Sequence, residues 1–241
     1  MQPPASASSL DDQAADTNGS SQLLHALAGS VHDCRLCRLC HDRRHAVPGT
    51  GNASADIMFV AEAPGYHEDR SGSALVGAAG RLFDDVLSAI DLQRSDVWIT
   101  TVLKCRTPRS RSPFPDEIEQ CEGFLFREIA LVQPRVICAL GNTAVRVLTG
   151  RSLHVGKAHG TPLSAVIGGR DTIILPLFHP AAVVQVPPLL PMLLDDSRQI
   201  PRLLRDGMPS QPAGGGRVEQ ALREPSPQQD AAADQLSLGF G

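Results

Sequence analysis

The sequence predicts a three-layer α/β/α domain around a central four-stranded, mainly parallel sheet, and three observations carry that reading. Short apolar runs bounded by breakers recur at Ile57–Ala61, Asp96–Leu103, Arg135–Leu140 and Asp171–Leu177. Runs of this length without polar alternation read as strands covered on both faces. Stretches with helical periodicity or helix-start signals fall between them, and strands alternating with helices imply parallel crossovers. At 241 residues the chain is long enough for one such domain with tails.

Taken in order, Leu23 to Val31 places apolar residues at helical spacing and leads into Cys34, Cys37 and Cys40, two overlapping C-x₂-C pairs. The run at Ile57–Ala61 empties into a Pro64-Gly65 turn bearing Glu62, Glu68 and Asp69. Gly72, Gly77 and Gly80 mark a loop before an amphipathic helix from Arg81 to Ile90. The run Asp96–Leu103 delivers Thr101 and Lys104 to its carboxyl end and continues into Cys105. Pro115 starts a helix to about Val132 that carries Cys121, with Asp116, Glu117 and Glu119 near the positive end of its dipole. Arg135–Leu140 is the third strand, Gly141-Asn142 the turn, and Thr143–Leu148 a short helix. The fourth strand, Asp171–Leu177, ends in Phe178-His179-Pro180. Glu62, Thr101, Gly141 and His179 therefore leave strands at one sheet edge, where open α/β sheets bind ligands.

Composition places the folded part between residues 23 and 206, with disordered tails expected at 1–22 and 207–241, since neither end offers enough apolar surface to offset its ordering entropy. Residues 1–33 carry net −4 and residues 208–241 net −2, so the remainder is net +2 and the acidic total of −4 says little about the working surface. Arg35, Arg38, Arg43 and Arg44 form one basic cluster, and Lys104, Arg106, Arg109 and Arg111 another, both able to meet a phosphate backbone. No run of eighteen apolar residues occurs, and Met1-Gln2-Pro3-Pro4 does not open a signal peptide, so a cytoplasmic protein is expected. In a reducing compartment six cysteines point to metal ligands or core residues rather than disulfides. The best partners for the C-x₂-C pairs are Cys105 and Cys121, while Cys138 lies in the apolar run VICAL. By count, four thiolates suit zinc and an iron–sulfur cluster equally.

Several motifs in fixed order make the chain resemble the family 4 uracil-DNA glycosylases, the iron–sulfur branch of the uracil-DNA glycosylase superfamily. They are the double cysteine followed by VPGTG at Val47–Gly51, EAPG with Glu68 and Asp69, LVGAAGRL at Leu75–Leu82, KCRTP with Cys121 downstream, the Leu140-Gly141 turn, and HPAA at His179–Ala182. The resemblance implies a [4Fe–4S] cluster, in preference to zinc, on Cys34, Cys37, Cys105 and Cys121. It implies a monomeric enzyme of base excision repair that flips uracil out of single- or double-stranded DNA and hydrolyses its N-glycosidic bond. In that reading His179 donates to a uracil carbonyl oxygen and Glu62 orients water or offsets the cationic sugar. Glu68, Asp69 and the backbone around Gly65 support the base, and the loop Ala181–Pro188 enters the duplex. No lysine is placed as an amine nucleophile, so lyase chemistry is not expected. Three positions depart from the family pattern: Leu75 stands for the aromatic that stacks on uracil, Thr101 for the asparagine that reads its edge, and Gln185 for an arginine. The first removes about 0.5–1.5 kcal/mol of stacking, and the second replaces a bidentate amide with one hydroxyl. They leave open a glycosylase for another deaminated or damaged base, or a cluster protein that binds DNA without cutting it. At the C-terminus Gln235, Leu236, Leu238 and Phe240 resemble the peptide by which bacterial repair proteins bind the sliding clamp.

Overall fold

A computed structural model describes residues 8–208 and 218–220. The expected clamp peptide, Gln235, Leu236, Leu238 and Phe240, lies outside the described residues. The chain runs α1 (Ser8–Asp33), β1 (Thr50–Gly51), β2 (Ile57–Ala61), α2 (Tyr66–Ser71), α3 (Gly77–Ser88), β3 (Trp98–Thr101), α4 (Pro115–Val132), β4 (Val136–Leu140) and α5 (Asn142–Thr149). It continues through α6 (Val155–Ala158), β5 (Leu163–Ile167), β6 (Arg170–Leu177), α7 (Pro180–Gln185), α8 (Leu190–Ser197), α9 (Ile200–Asp206) and β7 (Val218–Gln220).

The sheet order is β1-β3-β2-β4-β6-β5-β7. Its centre, β3-β2-β4-β6, is parallel throughout and contains the four strands expected from the sequence. The sheet has seven strands rather than four, because both edges extend. Strand β1 adds antiparallel to β3, β5 adds antiparallel to β6, and β7 lies parallel to β5. Two-residue β1 is too short for any period to register, and β5 is only partly buried, so neither resembles the apolar central runs. The signal for β5 lay in its turn. Gly168 and Gly169 join it to β6 with φ of 57° and 77°, the left-handed geometry of a tight hairpin.

Two further differences concern the ends. Helix α1 starts at Ser8, inside the segment expected to be a tail, because a helix anchored at one end extends at the cost of one residue per added bond. Its anchor is Leu24, Leu27 and Val31, which pack into one core with Ile118, Phe124 and Leu125 of α4. Strand β7 likewise falls within the expected C-terminal tail. No helix among the described residues is long and apolar enough to cross a membrane.

The period-2 alternation of the strands divides the interior into two cores. Met58 and Val60 of β2 face α1 and α4, whereas Ile57, Phe59 and Ala61 face the layer that contains α3 and α7–α9. There Phe83 of α3 sets its ring edge-on to Phe59, with centroids 4.9 Å apart. Chain direction reverses between β2 and β4: β2 connects outward to β3, and β4 connects the other way to β6. The neighbouring carboxyl ends of β2 and β4 therefore splay their loops apart and leave a crevice at the switch point.

Candidate active site

Glu62 follows β2 and Thr143 stands in the first turn of the helix after β4, so the two face each other across that crevice. The Thr143 hydroxyl donates to Oε2 of Glu62, which fixes one carboxylate oxygen and leaves the other to act. Gly141, between β4 and α5, has φ of 87° and lies against His179, whose Cβ is 3.8 Å from where a Gly141 Cβ would be. A side chain at residue 141 would suffer backbone strain from the positive φ, while meeting the histidine only at ordinary contact distance. Glu62 and His179 are thus held on either side of one Gly141–Thr143 turn.

His179 is the N-cap of α7, and its Nδ1 accepts from the Ala181 amide at 3.0 Å. That contact requires a lone pair on Nδ1, so the neutral ring carries its proton on Nε2 and presents a donor there. Burial works in the same direction, lowering the imidazole pKa from 6.5 to about 4. The arrangement supplies a neutral hydrogen-bond donor and an oriented carboxylate on either side of one turn at one sheet edge, the pair needed to accept charge on a leaving group and to direct water at an electron-poor carbon.

The other expected contact residues divide differently. Glu68 spends its carboxylate on the backbone, accepting from Gly65 N at 3.0 Å and from Val76 N at 2.9 Å. Asp69 is buried and accepts from Arg44 N at 2.8 Å. Both acids therefore brace the loop between Glu62 and α3, and the Gly65 amide is already engaged. Leu75 is buried in the core beside Phe59 and Phe83, with φ of 48° and its carbonyl receiving Arg94 at 2.5 Å. Thr101, opposite Ala61 at the end of β3, is also buried and gives its hydroxyl proton to the Leu103 carbonyl at 2.6 Å, so that its oxygen has only acceptor capacity left. Sequence spacing did not single out Thr143; its signal was a hydroxyl two residues past a strand-end glycine, at a helix start.

The basic clusters prove largely structural. Arg38 pairs with Asp116, and Arg111 forms a two-pronged contact with Glu117 at 2.6 and 2.8 Å. Lys104 is buried and donates to Glu128 at 2.8 Å, to the Thr100 hydroxyl and to the Thr101 carbonyl. Glu128 also accepts from Gly49 N at 2.9 Å, which joins the VPGTG loop to β3 and α4.

The six cysteines are free. Cys34, Cys37, Cys105 and Cys121 pack in the core between α1 and α4, within electrostatic range of one another. Burial raises the thiols of Cys37 and Cys121, and that of Cys105 to about 11. Arg43 ties the cysteine segments together: it donates to Cys105 Sγ at 3.1 Å and to the carbonyls of His32 and Cys34 at 2.7 and 2.9 Å. The Lys104 amide lies 3.2 Å from Cys121 Sγ. Among the described residues no three metal-binding side chains close around a single ion. The donors aimed at two sulfurs fit thiolates, the form in which cysteine binds metal. Cys138 is fully buried in β4 and is a core residue.

Residues 48–197 match the family model described as the uracil DNA glycosylase superfamily. The chain is 38% identical to a type-4 uracil-DNA glycosylase of Saccharolobus solfataricus over 75% of its own length and 86% of the relative's. It is 36% identical to one from Archaeoglobus fulgidus, over 78% and 96% of the respective chains. A third, from Thermotoga maritima, is 36% identical over 68% and 84%.

Proposed function

This chain belongs to the uracil-DNA glycosylase superfamily, with the type-4 enzymes as its relatives, and from that premise we propose that it excises uracil from DNA by hydrolysis. The observation that carries the reading is the Glu62–Thr143 and Gly141–His179 pairing across the switch point. Breaking the bond from C1′ of the sugar to N1 of uracil leaves positive charge on the sugar and negative charge on the base. The Nε2 proton of neutral His179 meets the charge that develops on a uracil oxygen. Glu62 offsets the sugar's charge and orients the water whose oxygen bonds to C1′. Water's hydroxyl ends on the sugar, its proton is taken up by the departing uracil, and an abasic site remains. Of the chain's two lysines, Lys104 is buried against Glu128, and Lys157 lies on α6, whose first amide, Val155 N, donates to Asn142 beside the site. Neither lysine serves as an amine nucleophile in the mechanism proposed, which is hydrolytic. Val184 and Val186, both exposed just after HPAA, suit a wedge entering the duplex where the base has left.

Cys34, Cys37, Cys105 and Cys121 would hold a [4Fe–4S] cluster, and the supporting observations are the four-sulfur donor set and the N–H donors aimed at Cys105 and Cys121. When bound, the group supplies a link between the segment after α1, the loop after β3 and α4, elements far apart in sequence. The tail peptide at Gln235–Phe240 extends the proposal to a sliding clamp on sequence resemblance alone.

The test is incubation of the anaerobically purified protein with oligonucleotides carrying uracil, hypoxanthine, xanthine or a normal base, followed by alkaline cleavage, with iron and sulfide assayed on the same sample. Cleavage at uracil and about four irons per chain are expected. Cleavage only at another base would move the substrate, and DNA binding without cleavage would remove the enzyme. Within the site, Thr143→Val should slow excision roughly tenfold or more, since a hydrogen bond to a charged group contributes about 1.5–3 kcal/mol. Thr143→Ser should restore the rate. An unaffected Thr143→Val would show that the carboxylate needs no such support.

A further inference from the structure

The exposed ring of Tyr66 begins α2 immediately beyond the Glu62–Gly65 turn, and two guanidiniums from separate elements settle on it. Arg70, one helical turn on, lies 5.6 Å from the ring centroid and donates to the Tyr66 hydroxyl at 3.3 Å. Arg106, from the loop after β3, lies 5.3 Å from the same centroid. Neither forms an ion pair with a described carboxylate, whereas Arg38, Arg94, Arg111 and Arg198 all do. The Nε of Arg106 is buried and has no hydrogen-bond partner among the described residues, and its guanidinium lies over the ring. An aromatic face attracts a cation without neutralising it. Two like charges thus share one exposed aromatic beside the proposed catalytic edge, an arrangement that an anion placed between them would favour.

We infer that Arg70, Tyr66 and Arg106 form a clamp for one backbone phosphate of the DNA strand, next to the nucleotide being extruded. This inference rests on the glycosylase reading and adds the strand contact that reading lacks. The ring is the spacer that holds two guanidinium forks at a fixed separation, and each fork offers paired N–H donors suited to phosphate oxygens. Being tied to the Glu62 turn through Tyr66 and to the end of β3 through Arg106, the clamp fixes the strand relative to the β2–β3 side of the crevice. It makes a register contact, indifferent to base identity.

The affinity of the intact protein for a uracil-bearing duplex, measured by fluorescence anisotropy across a KCl series, tests this. Each phosphate contact contributes about −0.9 to the slope of log affinity against log salt. Arg70→Gln and Arg106→Gln should each flatten that slope by up to one contact, while Tyr66→Phe, which keeps the ring, should leave it near the wild-type value. A walk of single methylphosphonate substitutions along the strand identifies the phosphate. Wild type should lose affinity most at one position flanking the uracil, and Arg70→Gln should lose no more there than it has already lost. Arg70 is exposed on α2, distant in sequence from the cysteines, so its variant separates clamp loss from damage near Cys105. Uracil excision by wild type is assayed in parallel. No excision would overturn the glycosylase reading itself, whereas excision with unchanged slopes, or additive losses at every position, would overturn the clamp alone.

Discussion

His179→Ala is expected to excise uracil on the order of 10²–10³-fold more slowly than wild type in single-turnover assays, with DNA affinity nearly unchanged. That is the cost of losing one preorganised donor where negative charge develops. The substitution also removes the cap on α7, worth about 1 kcal/mol, so the informative companion is His179→Asn. Asparagine caps helices well but cannot reproduce the imidazole Nε2–H, and its variant should regain stability while remaining slow. Recovery of rate by His179→Asn would reassign the histidine to a purely structural role. A pH experiment follows from the same group. Its folded pKa, about 4, lies below the ordinary 6.5, so the unfolded chain takes up the proton more readily. The stability His179 contributes is complete above about pH 6.5 and is lost as pH falls toward about 4. Wild type should therefore destabilise across that window more steeply than either variant, and excision should show no dependence on histidine protonation near neutrality.

Lys104→Met is expected to destabilise the fold by roughly 3–5 kcal/mol, because it leaves the Glu128 carboxylate buried without its cation. Both side chains are almost wholly excluded from solvent, at 1% and 2% relative exposure, so water cannot screen the loss. For a domain of this size each kcal/mol corresponds to about 2–4 °C in Tm. The pair also holds Gly49 N and the Thr101 carbonyl, and removing the lysine should loosen the VPGTG loop and the end of β3 together. Glu128→Gln, which removes charge but keeps an acceptor for Gly49, should cost less when combined with Lys104→Met than the two single changes sum to. Urea denaturation of the four proteins completes the cycle. Strict additivity, or a loss below about 1 kcal/mol, would mean that the pair carries no coupling.

Sequence reasoning reached the parallel centre of the sheet because apolar runs covered on both faces differ from everything around them in period and composition. It reached the edge of the candidate site for a related reason: every parallel strand points the same way, so Glu62, Thr101 and His179 had to emerge together. It did not reach β1, β5 or β7, whose residues are few or half-exposed and are recruited only when a neighbouring edge already exists. Nor did it separate acids that act from acids that brace. Glu62, Glu68 and Asp69 stand within eight residues of chain, and only their partners distinguish them: a threonine hydroxyl for the first, backbone amides for the other two.

Charge shows the same limit. Composition located two basic clusters, yet Arg38, Arg43, Lys104 and Arg111 are engaged by acids, carbonyls and a thiol, while Arg106 of the second cluster shares the Tyr66 ring with Arg70 from another segment. By itself the sequence determined the fold class and the sheet edge at which the proposed site residues emerge, and it pointed to the four cysteines that the fold gathers, since these depend on residue type and spacing along the chain. Only the tertiary structure decided which oxygen of Glu62 is engaged, which nitrogen of His179 bears the proton and which arginines meet on one ring. Those properties belong to pairs of groups brought together from distant segments, and a hydrogen bond or a charge is settled by its partner.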